Sequence, residues 1–118
     1  MGRLELFALI AVTLAFAGCK ETTIEDRTCP PGGTKLTYAS FGKSFMDANC
    51  QRCHGQTSTD RQGAPGDYDF GSIDDVRVHK SRIFARAAAD NTTMPPGPDD
   101  PSEDEREKLA EWLSCGAP

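Results

Sequence analysis

The sequence predicts an all-α fold, three main helices joined by long loops. Three observations predict it. Apolar residues recur at helical spacing in three separate stretches. The segments between them are crowded with glycine and proline, and no stretch alternates apolar and polar residues as a half-buried strand would.

The first helix runs from Leu36 to about Asn49. Tyr38, Phe41 and Phe45 fall at i, i+3 and i+7, and Leu36 and Ala48 extend the same side. Gly42 within it costs about 1 kcal/mol against alanine, so its presence predicts another helix crossing closely at that point. Residues 54–71 read as a loop. A second helix starts at Ser72, with Asp75 in the capping-box position. Ile73, Val76, Ile83 and Ala87 mark its buried face, while Arg77, Lys80, Arg82 and Arg86 lie mostly on other faces. That charge run reads as a solvated surface, the alternative being that one or two of these cations approach an acidic group. Residues 90–101 form a loop carrying Met94-Pro95-Pro96. The last helix begins at Ser102, with Glu105 completing a capping box and Glu103, Asp104 and Glu105 complementing the helix dipole. Leu109, Trp112 and Leu113 form its apolar face, and Gly116 is its stop.

The chain of 118 residues reads as one small domain with extensions, and its formal charge of −5 with no basic stripe excludes a nucleic-acid partner. Arg3, the apolar run from Leu6 to Ala17 and Gly18-Cys19 read as a targeting signal, too short to span a bilayer comfortably. Phe16-Ala17-Gly18-Cys19 resembles a bacterial lipobox, with Phe16 where leucine is usual. The expected division is therefore a lipoprotein signal over 1–18, a lipid-anchored flexible tether over 19–33 and a folded domain over 34–118. A plain secretory signal and an uncleaved anchor are the alternatives.

The chemistry centres on Cys50-Gln51-Arg52-Cys53-His54. Two thiols three residues apart, followed at once by an imidazole, form the C-x-x-C-H attachment pattern for a c-type haem. Two thioether bonds would anchor the porphyrin to one short stretch of backbone and leave His54 as the proximal iron ligand. A thioredoxin-like C-x-x-C and half of a zinc site are the competing readings. The first lacks a surrounding β pattern and the second lacks a partner pair at ligand spacing. A domain of about 85 residues has a thin apolar core and needs a staple, which one covalent haem supplies. Of the five cysteines, Cys19 takes the lipid and Cys50 and Cys53 the haem. Cys29 and Cys115 are left, and in an exported chain they are expected to form a disulfide. Two unrelated thiols are the alternative.

With these residues in place, the chain resembles a small class I (mitochondrial-like) monohaem cytochrome c, in a bacterial lipoprotein form, over roughly Thr34 to Cys115. The resemblance implies the small cytochrome c fold, wrapped around one haem, with Met94 as the distal iron ligand. Gly42, eight residues before Cys50, and Trp112 in the last helix match the family's contact between first and last helices. The aromatic usual four residues before the first cysteine is replaced by Met46, with Phe45 beside it. The family often orients its proximal histidine with a proline carbonyl, for which Pro65 is the candidate. The residues support Met94 independently. A methionine in a polar, proline-rich loop has no core to fill, and prolines limit that loop's freedom. His79 reads as a surface residue and Met46 as packing.

An iron held by two protein side chains has no open site for substrate, so the expected function is one-electron transfer rather than enzymatic turnover. The expected setting is the bacterial cell envelope, facing the periplasm. The protein would be a monomer tethered by lipid to the outer or inner membrane, with membrane-bound redox proteins as donor and acceptor. A place as a subunit of a larger oxidoreductase stays open beside the stand-alone carrier. A haem enzyme or gas sensor with a labile distal ligand, and an assembly lipoprotein whose C-x-x-C is a redox or metal site, are the rival classes. Asp99, Asp100, Glu103, Asp104 and Glu105 either steer a basic partner or serve the helix dipole. Asn91-Thr92-Thr93 matches a glycosylation sequon and is read as chance.

Overall fold

A computed structural model describes residue 18 and residues 21–118. Cys19 and nearly all of the expected signal segment lie outside the described residues. Every regular element among the described residues is helical. The main elements are α1 (Lys43–Asn49), α2 (Gln51–His54), α3 (Ile73–Ala87) and α4 (Glu103–Ser114), with a wide helical turn at Tyr38–Gly42 leading into α1 and a tight turn at Ile24–Asp26. The fold is the all-helical one expected. The first predicted helix is, however, divided. It starts at a Thr37–Ser40 capping box rather than at Leu36, widens over Tyr38–Gly42, and breaks at Cys50. The other two starts match their sequence signals: Ser72 caps α3 against Asp75, and Ser102 caps α4 against Glu105.

The widened turn lies where α4 crosses. A Cβ built on Gly42 would stand 2.3 Å from Cζ2 of Trp112, a separation that no pair of carbons tolerates. Glycine is therefore required for the indole to lie on the backbone. Trp112 is fully buried, edge-on to Phe41 with ring centroids 6.0 Å apart and stacked with Tyr38 at 6.4 Å. Phe45 and Met46 of α1, Val76, Ile83, Phe84 and Ala87 of α3, and Leu109, Ala110 and Leu113 of α4 complete the core. Phe84 also belongs to the buried face of α3, eight residues after Val76 and three before Ala87, a position not among those the sequence pattern marks.

The segment expected as a free tether is docked from Thr22 onward. Asn91 donates through Nδ2 to the Thr22 carbonyl at 2.7 Å, Arg27 pairs with Glu107 at 2.7 Å, and Ile24 packs on the core. The sulfurs of Cys29 and Cys115 lie 1.96 Å apart, joining this segment to the end of α4. The polar composition of the segment concealed this docking, because apart from the disulfide its contacts are hydrogen bonds, an ion pair and a single apolar side chain. No helix among the described residues is long and apolar enough to cross a membrane.

Candidate functional site

The site grows from the break in the first helix. Cys50 has φ −123° and ψ −41°, off the helical line, and its carbonyl opens a new turn by accepting from His54 N at 2.9 Å and Cys53 N at 3.2 Å. The pentapeptide thus folds as its own short element, α2, with Cys50 at its head and His54 at its end. Cys50 and Cys53 are free, half-buried thiols. Burial pushes the Cys50 thiol up to about 12, with Cys53 adding to the shift. A thiol held protonated this way is the opposite of a thioredoxin-like nucleophile, which depends on a depressed pKa.

His54 is oriented by its backbone surroundings. Its Nδ1 lies 2.7 Å from the Tyr68 carbonyl oxygen. A carbonyl only accepts, so Nδ1 carries the proton and Nε2 keeps the lone pair a metal needs. The orienting carbonyl is therefore that of Tyr68. The Pro65 carbonyl expected for this role instead accepts from Arg61 Nη2 at 3.0 Å. The Phe70 ring stacks on the imidazole at a centroid distance of 4.5 Å. Phe70 is itself fixed, its N–H donating to the His54 carbonyl at 2.8 Å and its carbonyl accepting from Gln51 Nε2 at 2.6 Å.

Arg61 holds the loop that delivers Tyr68. It donates to the carbonyls of Gly55 (3.1 Å), Ala64 (3.3 Å), Pro65 (3.0 Å) and Tyr68 (3.2 Å). Sequence reasoning passed over it. The available signal was a cation within a glycine- and proline-rich loop, where carbonyls outnumber other partners. His79, expected on the surface, is half-buried, with its ring 5.2 Å from that of Tyr68 and 5.7 Å from that of Phe70. Asn91 is buried, its amide donating to Thr22 and Phe84 carbonyls, which leaves the sequon no free nitrogen.

The loop of Met94 and the attachment segment line one cleft of about 620 Å³. Its lining combines Cys50, Cys53 and His54 with Met94, Pro95, Pro96 and Pro98, and with the apolar side chains of Phe45, Phe70, Ile83 and Ala87. Met94 is 40% exposed, unlike Met46, which is fully buried in the core. Its backbone is nevertheless fixed at both ends: its N–H donates to the Arg86 carbonyl at 2.8 Å and its carbonyl accepts from Arg106 Nη1 at 2.9 Å. Arg52, Arg61, Arg82 and Arg86 also line the cleft. Two members of the α3 charge run thus face the site rather than open solvent alone, while Arg77 is engaged with Asp74 and the Ala117 carbonyl.

The donor set fits a covalently attached haem. Two free thiols, an imidazole with an open Nε2 and a thioether line one cleft, whose lining is mostly apolar and carries four arginines. Among the described residues, no cluster of three or more His, Cys, Asp or Glu side chains could hold a metal ion on its own. An all-helical fold closed around such a cleft defines a c-type cytochrome. Residues 39–113 match the family described as cytochrome C oxidase, cbb3-type, subunit III, and the chain belongs to that family. No curated protein and no solved structure gave a match. The protein is accordingly a haem c protein of the electron-transfer class, with covalently bound haem and its iron as cofactor.

Proposed function

We propose that this chain is a monohaem, one-electron carrier of the class I type, with Cys50 and Cys53 as the thioether attachment points, His54 as proximal ligand and Met94 as distal ligand. The single observation that supports it best is that an oriented imidazole and a backbone-fixed methionine line one largely apolar cleft together with the two free thiols. Haem iron supplies a one-electron couple, and thioether opposite imidazole favours the reduced ion. The remaining work falls to the polypeptide. Tyr68 fixes the His54 tautomer, and Arg61 bonds the same carbonyl and so limits how strongly it draws on the Nδ1 proton. Phe45, Phe70, Ile83 and Ala87 keep water from the apolar part of the lining. Arg52, Arg82 and Arg86 supply positive charge to the lining, where carboxylates of the cofactor or of a partner are stabilised.

The cellular reading belongs to the same proposal. Cleavage before Cys19 and its acylation would tether the domain to a membrane of the bacterial envelope on the periplasmic side, with residues 34–118 as the cytochrome domain and the chain acting as a monomer. Docking of Thr22 to Cys29 on α3 and α4 leaves a short leash, so the domain would work close to the membrane surface. The family's name attaches it to a cbb3-type oxidase. Donor and acceptor are accordingly membrane-bound redox proteins, whether the chain shuttles between them or serves as a subunit of one. The Cys29–Cys115 bridge is proposed to close in the exported chain, where disulfides persist.

The test is export of the chain in a host able to attach haem, followed by spectra in both oxidation states. The carrier reading expects a haem-stained band that survives denaturing electrophoresis, the weak far-red band of a methionine–iron(III) bond, and slow binding of carbon monoxide by the ferrous form. Rapid carbon monoxide binding with no far-red band would favour a sensor or enzyme instead.

A further inference from the structure

Arg106 carries the furthest-reaching observation outside the attachment motif. It lies on α4 and is only 4% exposed, yet it has no carboxylate in hydrogen-bond contact: Asp100 Oδ1 is 3.8 Å from its Nη2. Its Nη1 instead points at three backbone carbonyls, those of Ala87 at 2.9 Å, Asn91 at 3.0 Å and Met94 at 2.9 Å. Its own carbonyl accepts from Ala89 N at 3.1 Å. The loop from the end of α3 to Met94 is thus wrapped around one guanidinium. A terminal nitrogen has two hydrogens, so three acceptors converging on it must share them, and the convergence draws three separate turns of the loop to one point.

This arrangement is costly to maintain unless every bond is made. Buried charge is retained only where polar groups satisfy it, and buried carbonyls lose stabilisation when their donor goes. The Ala87 carbonyl belongs to the last turn of α3, where a cation also meets the negative end of the helix dipole. One side chain therefore finishes α3, shapes the loop, and fixes the main chain of Met94. Position 106 lies in register with the apolar stripe of α4, three, four and seven residues before Leu109, Ala110 and Leu113. An aliphatic side chain would satisfy that stripe as well as a cation does, so packing alone does not account for arginine there.

We propose that Arg106 is a positioning residue for the distal ligand: through the Met94 carbonyl it holds the loop closed, so that the thioether stays on the iron without a strong bond of its own. The inference rests on Met94 being that ligand. An outside ligand binds only the fraction of molecules whose thioether has left, and its apparent dissociation constant is the intrinsic one divided by that fraction. Loosening the loop raises the fraction and tightens the outside ligand.

The test uses the haem-loaded, oxidised protein and titration with imidazole. Arg106→Met, unbranched like the arginine stem but shorter and without charge or donors, should bind imidazole at least tenfold more tightly than the parent and lose its far-red band at a lower temperature. A tenfold change corresponds to about 1.4 kcal/mol. Arg106→Lys keeps charge and donors but moves them, and should fold in any event and fall between the two, about threefold tighter than the parent. Folded Arg106→Met with parental imidazole affinity overturns the proposal. Should Arg106→Met not fold, parental affinity in Arg106→Lys overturns it. The parent and Met94→Ala separate this failure from that of the underlying ligand assignment. If the parent lacks the far-red band, or Met94→Ala keeps it, the ligand assignment fails and the Arg106 proposal with it. If Met94→Ala loses the band while the Arg106 variants match the parent, only the role of Arg106 is wrong.

Discussion

The two segments that bring His54 and Met94 to the cleft, the His54 wall and the Met94 wall, are built on different plans. On the His54 wall, the side chain itself is gripped: Nδ1 by the Tyr68 carbonyl and the ring face by Phe70. On the Met94 wall the side chain is 40% exposed and only the backbone is held, at the Arg86 carbonyl and by Arg106. Each wall depends on an arginine that donates to main-chain carbonyls, half-buried Arg61 on one and buried Arg106 on the other. The difference follows from the donors. Imidazole has a second nitrogen through which the protein can fix and tune it, whereas a thioether has none, so its placement must be set by the chain that carries it.

This contrast can be broken at several points. Met94→Ala should leave the haem attached and His54 oriented, abolish the far-red band, and lower the reduction potential by more than about 59 mV, a tenfold change in a one-electron equilibrium. Potentiometric titration alongside carbon monoxide binding checks it; an unchanged potential would mean the two walls are not the two ligand sides. Gly42→Val should act on both walls together, because the turn that leads into α1 meets α4 there. A side chain in that contact forces the Trp112 indole away at a cost of about 1–3 kcal/mol or more, measured by denaturant unfolding of the holoprotein. Arg61→Gln should act on the His54 wall alone. With one donor fewer, the Tyr68 carbonyl draws harder on Nδ1–H, and the potential should fall by about 30–60 mV with the far-red band intact.

The smallest effect belongs to the cap of α4, which underlies Arg106 but touches neither ligand. Ser102→Ala should cost about 0.5–2 kcal/mol. The Ser102 backbone N–H and hydroxyl both bond Glu105 and hold its carboxyl below the usual value. Ionised Glu105 therefore stabilises the fold above the ordinary carboxylate pKa, and that contribution is lost as pH falls through the lowered one. Since Glu105 is exposed, the pH dependence will be slight, and in thermal melts the gap between the parent and Ser102→Ala should narrow in acid without closing, because the Ser102 hydroxyl still accepts from the Glu105 N–H there.

Much of this architecture was legible in the residues. The capping boxes at Ser72 and Ser102, the glycine under Trp112 and the pentapeptide at 50–54 are local signals, each confined to a few positions, and the structure places the elements where they indicate. What was not legible depends on main-chain geometry. Any residue can offer a carbonyl, so nothing in the sequence distinguishes Tyr68 from Pro65 as the acceptor for His54. Arg61 and Arg106 received no role from the sequence for the same reason, since their hydrogen-bond partners are backbone oxygens that leave no mark on side-chain pattern. The docking of Thr22–Cys29 was hidden by its polarity. Both arginines left a trace, Arg61 as a cation in a glycine- and proline-rich loop and Arg106 as a cation in register with an apolar stripe.

The ligand assignment is tested most directly by iron K-edge X-ray absorption on the oxidised haem-loaded protein. The account predicts one sulfur scatterer in the first shell beside five nitrogens, and its disappearance in Met94→Ala. A first shell without sulfur in the parent, or one that Met94→Ala leaves unchanged, would contradict it.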